Sequence, residues 1–320
     1  MAACSLKLLG AKDYVERAKS PKYLEIILQE HLDIINTPIS GNCDHFQLPA
    51  NKKKNRYPDF PSWDISRVVI RSNNGLDYIN ANYINGFDTR CKFIATQEPM
   101  ETTFDDFWNM IWQDNANIIV MLNGISQKSQ PPVSPQYFSV DQDHTILKEF
   151  IIREESIKME THYIHTALTI CRRSTGESRI IHHFKYLNWP ENGVPDVKLF
   201  LDFLLTVNKQ DQHYFTQALL THKFLPGPIV VHGNAGIGRT TAYCVADMCL
   251  YQLIHRASVS VPFTVLNVRR QRRSSIQTPN YYVFINNLIL YFLMAIKVNP
   301  AVLFEFRSHL GITDAQLLSN

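Results

Sequence analysis

Residues 228–240 constrain this chain more than any other stretch. Pro228-Ile229-Val230-Val231 is a short apolar run that passes directly into His232-Gly233-Asn234-Ala235-Gly236-Ile237-Gly238 and then Arg239-Thr240. The apolar run predicts a buried strand. The closely spaced glycines predict a tight turn. From Arg239 onward, Ala242, Val245, Ala246, Cys249 and Leu253 recur as the inner stripe of a helix. Strand, turn and helix in this order call for a sheet with helices packed on it. They also make an anion site, because successive peptide N–H groups converge at the turn and the helix N-terminus adds partial positive charge. Arg239 supplies a planar, two-pronged donor for phosphate oxygens. Two other readings fit the same residues. One is a tight structural turn. The other is a nucleotide-binding loop, Gly-x-x-x-x-Gly-Lys-Ser/Thr, with arginine in place of lysine. For that reading Leu199–Asp202 would have to be the magnesium-binding strand, and it reads better as helix.

Residues 11–37 read as helix, with Leu24, Ile27, Leu28, His31, Leu32 and Ile35 at helical spacing. Residues 38–62 read as loop. Short strands are expected at 68–70 and 83–84, around a turn at Asn73-Asn74-Gly75. Phe104, Phe107, Trp108, Ile111 and Trp112 fall on one face of a helix over 104–115, and Ile118–Leu122 reads as a fully buried strand. Pro131, Pro132 and Pro135 make 126–136 irregular. Strand-like alternation covers 163–170 and 179–186, and helices are expected from Leu199, near 262–272 and over 279–296. No internal repeat or linker interrupts the pattern. The expected fold class is α+β, a twisted mixed β-sheet flanked by helices. The expected division is an N-terminal extension over 1–21, one domain over 22–297 and a tail over 298–320.

A formal charge of +3 is mild and does not point to nucleic acid. The six cysteines have no CxxC spacing, so neither a metal site nor a redox motif is expected, and no cofactor is implied. Met1–Leu9 lacks the apolar core of a secretory signal, and Ala2 excludes an N-myristoylated glycine. Tyr281–Val298 is apolar but carries Asn286 and Asn287, which favours a buried helix over membrane insertion. These features together read as a cytoplasmic chain with reduced thiols.

The segment 232–241 resembles the phosphate loop of the non-receptor protein-tyrosine phosphatases, which reads His-Cys-Ser-Ala-Gly-x-Gly-Arg-Thr-Gly. The resemblance extends over about residues 22–297. Lys54-Asn55-Arg56-Tyr57 is similar to the family's substrate-recognition loop, with Asp59 two residues on. Asp77–Ile84 and Phe93–Pro99 match two further motifs, with Glu98 in place of a glycine. Trp189-Pro190-Glu191-Asn192-Gly193-Val194-Pro195 resembles the mobile acid loop, and Arg269, Arg272, Gln277 and Thr278 resemble the last motif. The chain also resembles the expanded tyrosine-phosphatase sets of insect-parasitoid viruses (polydnaviruses), which would place it in the host-cell cytoplasm.

The resemblance implies that Asn234, Ala235, Gly236, Ile237, Gly238 and Arg239 bind phosphate. It implies that Tyr57, Asp59 and Gln277 recognise substrate, and that Asn80, Asn82, Tyr83 and Arg269 support the loop. Tyr57 suits stacking on a phosphotyrosine ring. Arg56 and the neighbouring lysines read equally as a solvated face. The resemblance also implies a defect. Gly233 stands where the family has its nucleophilic cysteine, and Asn234, Cys244 and Cys249 offer no replacement. Glu191 stands at the general-acid aspartate, Gln127 at a glutamate that braces the loop arginine, and Tyr281 at a glutamine that positions water. The expected function is a pseudophosphatase that binds or shields tyrosine-phosphorylated proteins. The alternatives are a weakly active phosphatase using direct water attack helped by Glu191, and an interaction scaffold with an idle pocket.

Overall fold

The computed structural model describes residues 6–71, 77–123, 137–138, 144–222 and 224–298. In chain order the strands are β1 (Leu9–Gly10), β2 (Arg67–Val69), β3 (Tyr78–Ile84), β4 (Phe93–Gln97), β5 (Ile118–Met121), β6 (Thr145–Ile146), β7 (Phe150–Met159), β8 (Tyr163–Arg172), β9 (Ser178–Tyr186), β10 (Ile229–Gly233) and β11 (Ser258–Val259). The helices are α1 (Ala11–Ala18), α2 (Tyr23–Asn36), α3 (Asp44–Gln47), α4 (Phe104–Gln113), α5 (Val197–Leu220), α6 (Arg239–Arg256), α7 (Val261–Gln271) and α8 (Pro279–Val298).

Nine strands form one sheet in the order β2-β3-β4-β10-β5-β9-β8-β7-β6. The centre is parallel: β10 pairs with β4 and β5, and β5 with β9. The flanks are antiparallel. The sheet is therefore mixed, as the alternation of the sequence implies.

Side chains alternate across the sheet and feed two cores. Val120, Ile229 and Val231 face a core shared with α5, α6 and α8, while Ile119 and Val230 face one shared with α4. Phe107, Trp108, Ile111 and Trp112 are all buried on α4, as their spacing predicts. The stripe predicted on α6 is buried too, but burial runs unbroken from Thr240 to Leu250, so this helix is enclosed on all sides. Leu199–Asp202 lies inside α5, which leaves the nucleotide-loop reading without its metal-binding strand.

Three expectations need correction. The stretch 38–62 read as loop contains the one-turn helix α3, followed by a 3₁₀ helix over Pro49–Lys54. The helix predicted over 11–37 is two helices, parted at Lys19–Lys22 around Pro21, because proline has no N–H to give a continuing helix. The buried residues of α2 are Ile27, His31 and Ile34, whereas Leu24, Leu28 and Leu32 are exposed. The turn expected at Asn73-Asn74-Gly75, the irregular stretch at 126–136 and the tail from Asn299 lie outside the described residues.

From Leu9 onward the N-terminal residues join the fold. β1 pairs with β11, and Tyr14 is buried with its hydroxyl donating to Asn286 Oδ1 at 2.6 Å. Among the described residues α8 is the one helix long and apolar enough to cross a membrane. Its residues Tyr282, Phe284, Ile285, Leu288, Ile289 and Phe292 are buried in the α5–α6 core.

Candidate phosphate-binding site

β10 ends at Gly233, paired with Gln97 of β4, and α6 begins at Arg239. The turn between them is fixed by where its carbonyls go. Asn234 O accepts from the Glu98 N–H at 3.2 Å, and Ile237 O from the Ile276 N–H at 3.1 Å. Ala235 O and Gly236 O accept from Arg272 Nη2 and Nε, both at 3.2 Å. A trans peptide points its N–H opposite to its carbonyl. With the carbonyls of 234–237 bound by Glu98, Arg272 and Ile276, the N–H groups of Ala235, Gly236, Ile237 and Gly238 point away from those partners. Gly236 makes this possible: its φ is +71°, and a Cβ there would lie 2.4 Å from Thr96 O. Gly238 also needs to be bare, since a Cβ would meet the Tyr281 ring at 2.7 Å.

Arg272 is fully buried, and its Nη1 donates to Asn82 Oδ1 at 2.8 Å. Burial lowers its pKa to about 10, still well above neutrality, so a full positive charge lies beneath the turn. This corrects the expectation for Arg269, whose Nη1 donates instead to Ser275 O and whose own carbonyl accepts from Trp63 Nε1. Of the expected scaffold residues, Asn82 reaches the turn through Arg272. Asn80 donates to Asn55 Oδ1, and Tyr83 to Asp114 Oδ1.

Arg239 is held by backbone. Its Nη1 donates to Leu122 O at 3.2 Å, and its Nη2 to Pro190 O at 2.8 Å and Glu191 O at 3.4 Å. The guanidinium also lies 5.6 Å from the Trp189 ring centroid. The segment 189–195 is thereby tied beside the turn, with the Glu191 side chain exposed. Tyr281 packs between Gly238 and Trp189, 6.0 Å from the latter's ring, so it contributes shape at this position. Gln127 lies outside the described residues.

On the other side, Arg56 and Lys54 are not merely a solvated face. Arg56 Nη2 pairs with the buried Glu98 carboxylate at 2.9 Å, and Lys54 Nζ with Asp106 at 2.9 Å. Gln97 fastens this loop by accepting from the Arg56 N–H and donating to Lys54 O. Tyr57 is half-buried, edge-on to Phe60, while Asp59 and Gln277 are exposed. Gln277 follows Ile276, whose N–H reaches the turn at Ile237.

Beneath β10, His232 Nε2 is 2.8 Å from the Tyr137 hydroxyl, which is 2.7 Å from His183 Nε2. Burial, with Arg56 nearby, lowers the His232 pKa to about 3, so this ring is neutral. Nothing in the periodicity singles out Tyr137 or His183. Cys244 and Cys249 are fully buried on α6, and burial pushes both thiols up, Cys249 to about 12. Neither is a nucleophile for this concavity.

The comparisons agree with this architecture. A family model described as "Protein-tyrosine phosphatase" matches residues 51–291. Tyrosine phosphatase-like protein J1 of Microplitis demolitor bracovirus (isolate Webb) is 34% identical over 294 residues, covering 91% of this chain and 98% of that protein. Tyrosine phosphatase H3 of the same virus is 32% identical over 317 residues, covering 92% and 97%. Tyrosine-protein phosphatase non-receptor type 9 of Homo sapiens is 35% identical over 273 residues, which are 83% of this chain and 46% of that protein. The chain belongs to the protein-tyrosine phosphatase family.

Proposed function

We propose that this chain is a pseudophosphatase that binds phosphotyrosine in tyrosine-phosphorylated proteins and shields it from turnover. The observation that carries the reading is the turn at 234–238, whose carbonyls are bound by the buried Arg272 and by backbone N–H groups, while Gly233 brings no side chain for bond-making. The phosphate would sit on the amides of 235–238 with Arg239 alongside. Tyr57, Asp59 and Gln277 would line the approach of the ring and peptide. Loss of a thiolate removes its repulsion of a phosphate dianion, which favours ground-state binding. The viral relatives support a role in the cytoplasm of a host cell, against host phosphotyrosine signalling.

Isothermal calorimetry with a phosphotyrosine peptide tests this. A micromolar Kd, lost in Arg239→Ala and absent for the unphosphorylated peptide, is the expected result. No heat of binding to the wild type would sink the proposal. Measurable hydrolysis of an aryl phosphate by the wild type would favour the water-attack alternative.

A further inference from the structure

Gly233 closes β10 with a φ outside the left-handed region, so its backbone does not demand glycine. A Cβ built there meets Thr240 Oγ1 at 3.2 Å, Asn123 Oδ1 at 3.5 Å and Arg239 Cβ at 3.8 Å. Thr240 is fully buried and Asn123 is 8% exposed. Among the described residues, neither the Thr240 hydroxyl nor either end of the Asn123 amide has a hydrogen-bond partner. Buried polar side chains almost always have one. Where protein does not supply it, a water does, provided the space is of its own size and offers two or more polar neighbours.

We propose that the side-chain space of Gly233 is a site for a single water molecule held by Thr240 and Asn123. Such a water gives partners to the Thr240 hydroxyl and to Asn123 Oδ1, while Asn123 Nδ2 is not served by it. The water donates to Asn123 Oδ1 and accepts from the Thr240 hydroxyl. One proton then remains, which it donates to a phosphoryl oxygen seated on the turn. A thiolate in this place would be a charge facing a dianion, whereas water is a neutral donor, so the glycine turns the floor of the pocket from repelling to attracting. The role toward phosphate rests on the pocket being a phosphotyrosine site; the water site itself does not.

Gly233→Ala and Gly233→Ser share a Cβ and differ by one hydroxyl. Both are compared with the wild type by crystallography, thermal melting and calorimetry with inorganic phosphate. The wild type should show one solvent oxygen within hydrogen-bond reach of both Thr240 Oγ1 and Asn123. Gly233→Ala should bind phosphate about tenfold more weakly than the wild type, the worth of one hydrogen bond. Gly233→Ser should regain most of that affinity and melt above Gly233→Ala. Absence of the solvent oxygen, or equal melting of the two variants, overturns the proposal. A wild type that holds the water yet ignores phosphate sinks the phosphotyrosine reading alone. A wild type that binds phosphate without the water sinks only this inference.

Discussion

Two glycines of the β10–α6 turn answer to different constraints. Gly236 sits at φ +71° with the Thr96 carbonyl 2.4 Å from where a Cβ would be, so its identity is fixed by backbone and space. Gly236→Ala should therefore lower the urea midpoint, costing more than about 1 kcal/mol. An unchanged midpoint would contradict the carbonyl-inward geometry. Gly233 faces no such limit, and its nearest obstacle, the Thr240 hydroxyl at 3.2 Å, can shift slightly. Gly233→Cys should thus fold and gain turnover of an aryl phosphate. If Glu191 is the acid that the family resemblance implies, one methylene too long, the gain should fall about 10²-fold short of that in the Gly233→Cys/Glu191→Asp double variant. A double variant that stays inert while folded would show that more than the nucleophile is lost. At this scale the sequence reveals residue types but not their reach. Arg269 and Arg272 both close the same motif. Only the extended backbone at Arg272 (φ −130°, ψ 112°), where α7 stops, swings the second one under the loop.

Elements were readable where the hydrophobic period had one interpretation. α4 has a single apolar face, and its spacing predicts Phe107, Trp108, Ile111 and Trp112 as buried, while it omits the buried Met110 and includes the half-buried Phe104. α2 does not: Leu24, Ile26, Ile27, Leu28, Leu32, Ile34 and Ile35 wrap much of its surface, so the period fits several faces. The choice is made by α8, where the Tyr282 ring packs tilted against His31 at 5.6 Å and its hydroxyl donates to Glu30, and by the His31 ring against Ile276 O. The consequence is a sharp contrast between neighbours. Ile27→Ala, at full burial, should cost about 2–5 kcal/mol in chemical unfolding. Leu28→Ala, 39% exposed, should cost no more than about 1 kcal/mol. Equal losses would mean that α2 is seated on a different face. The apolar spacing that marks this helix begins only at Leu24, so it says nothing of residues 11–22, where Pro21 sets the break.

At the scale of the whole molecule, the central sheet is built with neutral histidines. His165, His182, His183 and His232 lie on β8, β9 and β10, and burial lowers each pKa, that of His182 to about 4 and that of His232 to about 3. His182 is further repelled by His165, His213 and Lys158. Unfolding frees these rings to take up protons near their ordinary 6.5. The unfolded state then binds more protons, so stability rises with pH across this window and falls on acidification. Each ring held neutral costs about 1.4 kcal/mol per pH unit below its unfolded value. Asp211 acts in the opposite sense. Burial raises its pKa from 3.8 to about 6, so it adds stability as the pH drops through that range. Burial raises the Asp106 carboxyl as well. Two carboxyls oppose several histidines, and the urea midpoint should fall clearly between pH 7 and pH 5; a flat profile would refute the neutral-histidine reading. The same window contains the second ionisation of a phosphate ester, near pH 6. Loss of phosphotyrosine binding at pH 5 would therefore have two causes, a weaker ligand charge and a failing sheet. His182→Asn separates them, because it removes one proton-binding site and should flatten the stability profile between pH 6.5 and pH 4. If its binding still falls with the wild-type profile, the ligand's own ionisation sets the pH dependence. If binding persists to lower pH than in the wild type, the histidines of the sheet set it.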